Sequence, residues 1–215
     1  MRDPNDPTII CPALRALKNH DQLPSDPTGR VKLSAVGKAL DGLKFSGPLV
    51  MLLKGMATVS NRVPSLPHNI LTRSFNPARM EEGPLKHRAD TGIIGNGDFD
   101  ADRFDMMEAM SSDGEGLTLP ELAAVIAADQ RRDPSLLGVG LSMVELGAMF
   151  DVFSEPNSRR EPCVKLTTLR ALFEGAQLPA GFQPTHPLGI IGLFATVFRL
   201  AANLPDMPAI LFRQT

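Results

Sequence analysis

Ile10-Cys11-Pro12-Ala13-Leu14-Arg15-Ala16-Leu17-Lys18-Asn19-His20, followed by Asp21-Gln22-Leu23-Pro24, is the stretch on which the reading of this chain turns. Proline suits the first position of a helix, where its missing N–H costs nothing. The residues after it put Leu14 and Leu17 on one face, so a helix over 12–20 is predicted, with Cys11 at its N-terminus. There the unpaired N–H groups and the helix dipole favour an anion and lower a thiol's pKa. A thiolate held this way is a soft ligand for iron, or a nucleophile. The competing reading is a buried cysteine acting as a small apolar residue.

Outward from this segment the pattern stays helical. Nineteen prolines and eighteen glycines cut the chain into short pieces. Apolar residues recur at helical rather than alternating spacing, predicting helices over 12–20, 33–43, 47–59, 101–111, 118–129, 141–154, 166–174 and 187–203. Thr118 and Glu121 have the spacing of a capping box, and Ser142 and Glu145 repeat it. Strands are expected to be few and short, with 30–33 as a candidate. Segments 60–84 and 155–165, rich in Pro, Asn, Ser and Arg, read as loops. A chain of 215 residues is most simply one domain, here 1–215, with two small ones possible.

The net charge of −2, with no long basic block, gives no sign of nucleic-acid binding, and the absence of Trp and Tyr leaves few stacking platforms. The apolar segment 188–204 contains Arg199 and is short for a membrane span. It reads as a core or surface-docking helix, with membrane-surface contact as the lesser reading.

The opening stretch resembles the proximal segment of the fungal haem-thiolate peroxidases, the chloroperoxidase and unspecific peroxygenase family. That family reads Pro-Cys-Pro-Ala-Leu, then Asn-His, then Leu-Pro. Cys11-Pro12-Ala13-Leu14, Asn19-His20 and Leu23-Pro24 match, while Ile10 replaces the first proline. The resemblance runs in order over 11–43, 85–111 and 117–180, and only its first part is highly specific. It implies an all-α, chloroperoxidase-like single helical domain enclosing one haem b. Cys11 would be the axial ligand of the haem iron, with Pro12 and Ala13 beside it. If Cys11 binds iron, Cys163 has no partner and no intrachain disulfide is available.

A second segment, Leu85-Lys86-His87-Arg88-Ala89-Asp90, resembles the family's distal Glu-His-Asp-Ala-Ser, matching at His87 and Ala89 only. In the family the glutamate and serine help to hold Mg²⁺ or Mn²⁺ beside a haem propionate. Lys86 stands at the glutamate position and cannot ligate a hard cation while protonated. No separate Mg²⁺ or Mn²⁺ is therefore expected, and Lys86 would pair with the propionate directly. His87 would orient the catalytic carboxylate, although Arg88 replaces the neighbouring family aspartate. The bland reading makes Lys86 and Arg88 solvated loop charges. His20 reads as a structural hydrogen-bonding residue, and His68 and His186 sit beside prolines.

For the acid–base group the choice is Glu145, the only charge between Asp133 and Asp151 and flanked by apolar residues. A lone carboxylate on such a helix is costly to bury unless paired or functional. Its alternative is a capping role with Ser142; Asp90 and Glu121 are the next carboxylates in line. The later Phe173-Glu174-Gly175-Ala176-Gln177-Leu178-Pro179 partly matches the family's Phe-x-x-x-x-Leu-Pro. Met149, Phe150 and Phe153 are candidates to line a pocket. Asp98, Asp100, Asp102 and Asp113-Gly114-Glu115-Gly116 hint at a calcium loop, but both registers fail: the twelfth residue is Leu122 in one and Ala109 in the other. These acids read as caps and turn residues.

The resemblance thus implies a haem-dependent peroxidase or peroxygenase that uses hydrogen peroxide to hydroxylate, epoxidise or couple a small apolar substrate, with natural-product biosynthesis as a candidate setting. Two rivals stand beside it: a haem-thiolate protein catalysing a non-peroxide isomerisation, dehydration or cyclisation, and a haem-free helical interaction protein. The polar N-terminus and the absence of a glycosylation sequon favour a cytoplasmic location, with secretion after removal of a signal peptide as the alternative, and no membrane span is expected; oligomeric state is left open.

Overall fold

Segments of 8–18 residues rich in apolar side chains, punctuated by Gly and Pro, form the helices. The computed structural model describes residue 9 and residues 11–59, 72–77, 94–95, 98–130, 136–183 and 187–204. Among these residues the helices are α1 (Pro12–Asn19), α2 (Leu33–Gly42), α3 (Gly47–Val59), α4 (Ala101–Glu108), α5 (Leu119–Gln130), α6 (Leu136–Phe153), α7 (Leu166–Phe173) and α8 (Ile190–Asn203). Each coincides with a segment expected from periodicity. The strands are short: β1 (Val31–Lys32), β2 (Ser74–Phe75), β3 (Ile94–Gly95), β4 (Asp98–Phe99), β5 (Gly116–Thr118), β6 (Glu155–Pro156) and β7 (Pro162–Lys165). The chain is therefore predominantly helical with small antiparallel sheets.

It divides into two compact units. The first comprises Met1–Phe99 and Arg170–Gly189. Its core gathers Leu17 of α1, Val36, Ala39 and Leu40 of α2, Val50 of α3, and Val31 and Phe75, which face each other across β1 and β2. Arg30 ties the second strand down, donating from Nε to Ser74 Oγ at 3.0 Å and from Nη2 to the Ser74 carbonyl at 2.8 Å. Segment 187–189 lies in this unit as extended chain. Leu188 N donates to Lys44 O and Ser46 N to Leu188 O, at 3.0 and 2.7 Å, so these groups are already used and α8 begins later than residue 187.

The second unit comprises Asp100–Leu169 and Ile190–Thr215. Here α4, a turn, β5 and α5 are followed by α6, a turn, β7 and the start of α7. The turns are joined by an antiparallel ladder in which Leu117 faces Val164 and Thr118 faces Cys163. This is the layout in which calcium-binding helix–loop–helix hairpins pair, yet the acids do other work here. Asp113 Oδ1 accepts from Glu115 N, Gly116 N and Ser111 Oγ, and its Oδ2 accepts from Asn157 Nδ2 at 2.7 Å, linking the two turns. Asp100 caps α4 through Arg103 N. Asp100 and Asp113 are thus the cap and turn residues expected, whereas Asp98 lies in β4, paired with Gly95.

Segment 155–165, expected to be loop, contains β6 and β7. Cys163 and Val164 are buried because β7 lies between β5 and β6. Gly116 permits this closeness: a Cβ there would lie 2.6 Å from Cys163 Sγ and 2.8 Å from Val164 O. Helix α6 begins at Leu136, ahead of the expected 141, because the apolar run 136–141 joins the same helix.

Candidate functional site at the first helix

Cys11 occupies the N-cap of α1, with extended backbone (φ −68°, ψ 115°), and Pro12 opens the helix. The Cys11 carbonyl accepts the first helical bond from Arg15 N at 3.0 Å. Arg15, Ala16 and Leu17 are buried and anchor the helix, whereas Cys11 and Pro12 are half-buried and Ala13 is exposed. The half-buried cysteine therefore sits at a helix start, two residues before an exposed alanine. Neither cysteine is in a disulfide. Cys163 is 0 % exposed, and burial first, then the nearby Asp113 charge, push its thiol pKa up. Of the two cysteines, Cys11 is the less buried.

The far end of α1 is pinned to a segment more than 150 residues away. Asn19 Nδ2 donates to the Ala176 carbonyl at 2.8 Å, and Leu178 N donates to His20 Nε2 at 3.2 Å. Ala176 adopts a left-handed conformation (φ 47°) while buried, a strained backbone that turns its carbonyl toward Asn19. Leu178 then packs against the core of the first unit. Asn19-His20 and Leu178-Pro179, quoted above as separate motif fragments, thus meet in one clamp. The structural role expected of His20 is what it performs. Sequence reasoning missed the pairing itself, because no local pattern links segments this far apart in the chain.

Of the other residues expected at the site, several lie outside the described residues. Lys86, His87, Arg88 and Asp90 lie outside the described residues, as do His68 and His186. Glu145 is exposed in the interior of α6, so Ser142 starts no helix there and the capping alternative falls. Glu121, a fallback acid–base, is committed to structure. Its Oε2 accepts from Thr118 N and Thr118 Oγ1, and its Oε1 from Ser112 N, all at 2.7 Å. Partial burial raises its pKa, but these hydrogen bonds outweigh it and hold the carboxyl below its usual range. Phe150, suggested as pocket lining, is a buried core residue, while Met149 and Phe153 are half-buried.

A cleft of about 940 Å³ opens in the first unit between α2 and segments 21–30 and 72–74. It is lined by Arg30, Lys32 and Lys38 together with Asp21, Asp26 and hydroxyls, and Cys11 is not among its lining residues. Among the described residues no group of three His, Cys, Asp or Glu side chains is placed to hold a metal ion. Comparison with protein-family models and with curated proteins returned no match.

Proposed function

We propose that this chain is a haem-thiolate oxidoreductase acting with hydrogen peroxide on a small apolar substrate. The observation that supports the reading most is Cys11: a half-buried cysteine at a helix N-terminus, in a segment whose Asn19-His20 end is clamped to Ala176 and Leu178. In the proposal Cys11 holds the iron as thiolate, Pro12 and Ala13 leave room beside it, and Lys86 meets a propionate in place of a divalent ion. Haem supplies oxidising chemistry with peroxide, and thiolate ligation favours O–O cleavage. The chain must supply a base for the peroxide proton. Glu145, with His87 to orient it, is assigned that role, because it is the only acid of α6 before Asp151.

The test is haem loading of the pure protein followed by spectroscopy of the reduced carbonyl complex. A thiolate-type, red-shifted Soret band that is lost in Cys11→Ala and kept in Cys163→Ala is the expected result. An imidazole-type band in folded protein, or no stoichiometric haem, overturns the reading. Glu145→Gln should retain haem and slow peroxide consumption by roughly 10²–10⁴-fold. Parent-rate consumption would remove Glu145 from the proposal. His87→Ala should cost less, since it orients rather than transfers.

A further inference from the structure

Helix α8 leaves a row of large apolar side chains uncovered. Ile191 is 82 % exposed, Phe194 50 % and Phe198 72 %. Their spacing of three and four residues places them along one face, over about 10 Å of helix. The opposite face carries Leu193, Thr196 and Leu200, all buried. That face is held by α5 and α6: Thr196 Oγ1 donates to Asp151 Oδ1 at 2.6 Å, and Gly147 of α6 lets Val197 and Leu200 approach closely. The helix cannot roll to hide the row without breaking these contacts.

What would cover the row follows from its area and charge. Three side chains of about 150–200 Å² each, exposed to this degree, present roughly 400 Å², about half of the ~800 Å² per partner that a stable protein–protein interface covers. Such an interface also needs a polar rim, and α8 offers little of one. Its only ionisable side chain is Arg199, exposed and adjacent to Phe198, with no carboxylate on the helix. Phenylalanine and isoleucine set beside a lone cation suit the headgroup boundary of an anionic bilayer, where rings enter the acyl edge and the guanidinium stays with phosphate. The helix has only 14 residues, and among the described residues no helix is long and apolar enough to cross a membrane, so α8 would lie in the surface plane.

We infer that the Ile191–Phe194–Phe198 face of α8 docks this protein on an anionic lipid surface. The experiment is co-sedimentation of the full chain with vesicles of phosphatidylcholine alone and of equimolar phosphatidylcholine and phosphatidylglycerol, beside light scattering of the lipid-free protein. Partition favouring the anionic vesicles is expected, weakened about tenfold or more by the double substitution Phe194→Ser and Phe198→Ser. Arg199→Glu should abolish the preference for anionic over neutral vesicles. All three positions are exposed, and unchanged helical circular dichroism identifies folded variants; the single Phe198→Ser serves if the double variant misfolds. No partition, partition unchanged in the phenylalanine variants, or equal partition onto both vesicle types overturns the inference. A lipid-free dimer that Phe198→Ser dissociates overturns it in favour of a second copy of this chain.

Discussion

Cys11 and Cys163 carry the same thiol in opposite surroundings. One stands half-buried at a helix start, the other inside a three-stranded ladder with its pKa raised by burial. Native protein treated with iodoacetamide at mild pH should be alkylated at Cys11, and at Cys163 only after unfolding; peptide mass spectrometry reads both. Alkylation of Cys163 in the native state would mean that the β5–β7 ladder opens readily. A second residue-scale expectation concerns the clamp. Asn19→Ala should destabilise the protein by about 1 kcal/mol, since the Ala176 carbonyl loses a part-buried donor. His20→Ala should cost less, because its bond to Leu178 N is exposed and water can replace it. Urea unfolding curves of the two variants give the order, and a reversed order would shift the clamp's weight to His20.

At the level of elements, two glycines set how closely secondary structures approach. At Gly116 any Cβ would collide with Cys163 Sγ and the Val164 backbone, so Gly116→Ala must push β5 from β7. A loss of about 1–3 kcal/mol is expected, the usual range for overpacking. At Gly147 an added Cβ would lie 3.3 Å from Val197 Cγ2, the end of a side chain that can give slightly. Gly147→Ala should therefore be nearly neutral, because about 1 kcal/mol of helix propensity offsets the crowding. Gly147→Leu should separate α6 from α8 and destabilise clearly. Thermal melts of the three variants check the ranking. Glu121 works at the same scale: it gathers Thr118 and Ser112 at the start of α5, and Glu121→Ala should cost about 1 kcal/mol as a lost cap.

Across the whole molecule, acid should loosen the turns before it touches the apolar cores. Hydrogen bonds hold Asp26, Asp113 and Glu121 below the usual carboxylate range, with the Thr28 hydroxyl leading at Asp26 and Glu115 N at Asp113. A carboxylate depressed in the folded state adds stability that is fully present above its unfolded pKa of about 4 and lost as pH falls through the folded value. Urea midpoints should thus be flat from neutral pH to about 5 and fall below 4, and Asp113→Asn should flatten part of that fall. A midpoint independent of pH in this window would mean that these hydrogen bonds persist in the unfolded chain. With no Trp or Tyr in 215 residues, protein absorbance near 280 nm is weak, so bound haem would dominate the spectrum.

How much of this was legible in the residues depends on the range of the interaction. Helix positions could be read because periodicity, caps and breakers act within a few residues: Pro12 opens α1, Asp100 caps α4, and Thr118 with Glu121 starts α5. Cys11 could be placed at a helix start for the same reason. Its accessibility, and the burial of Cys163, could not, because exposure depends on what distant segments cover. The β5–β7 ladder escaped notice because two- to four-residue strands show too few alternations to register as a period, and their pairing joins turns some 45 residues apart. Asn19 and His20 reaching Ala176 and Leu178, and Glu145 standing exposed on a helix that starts earlier than its spacing implied, were likewise settled by packing. Local sequence dictates which backbone conformation each segment prefers. Only the folded chain, by bringing distant segments into contact, decides which side chains that conformation buries, bonds or leaves open.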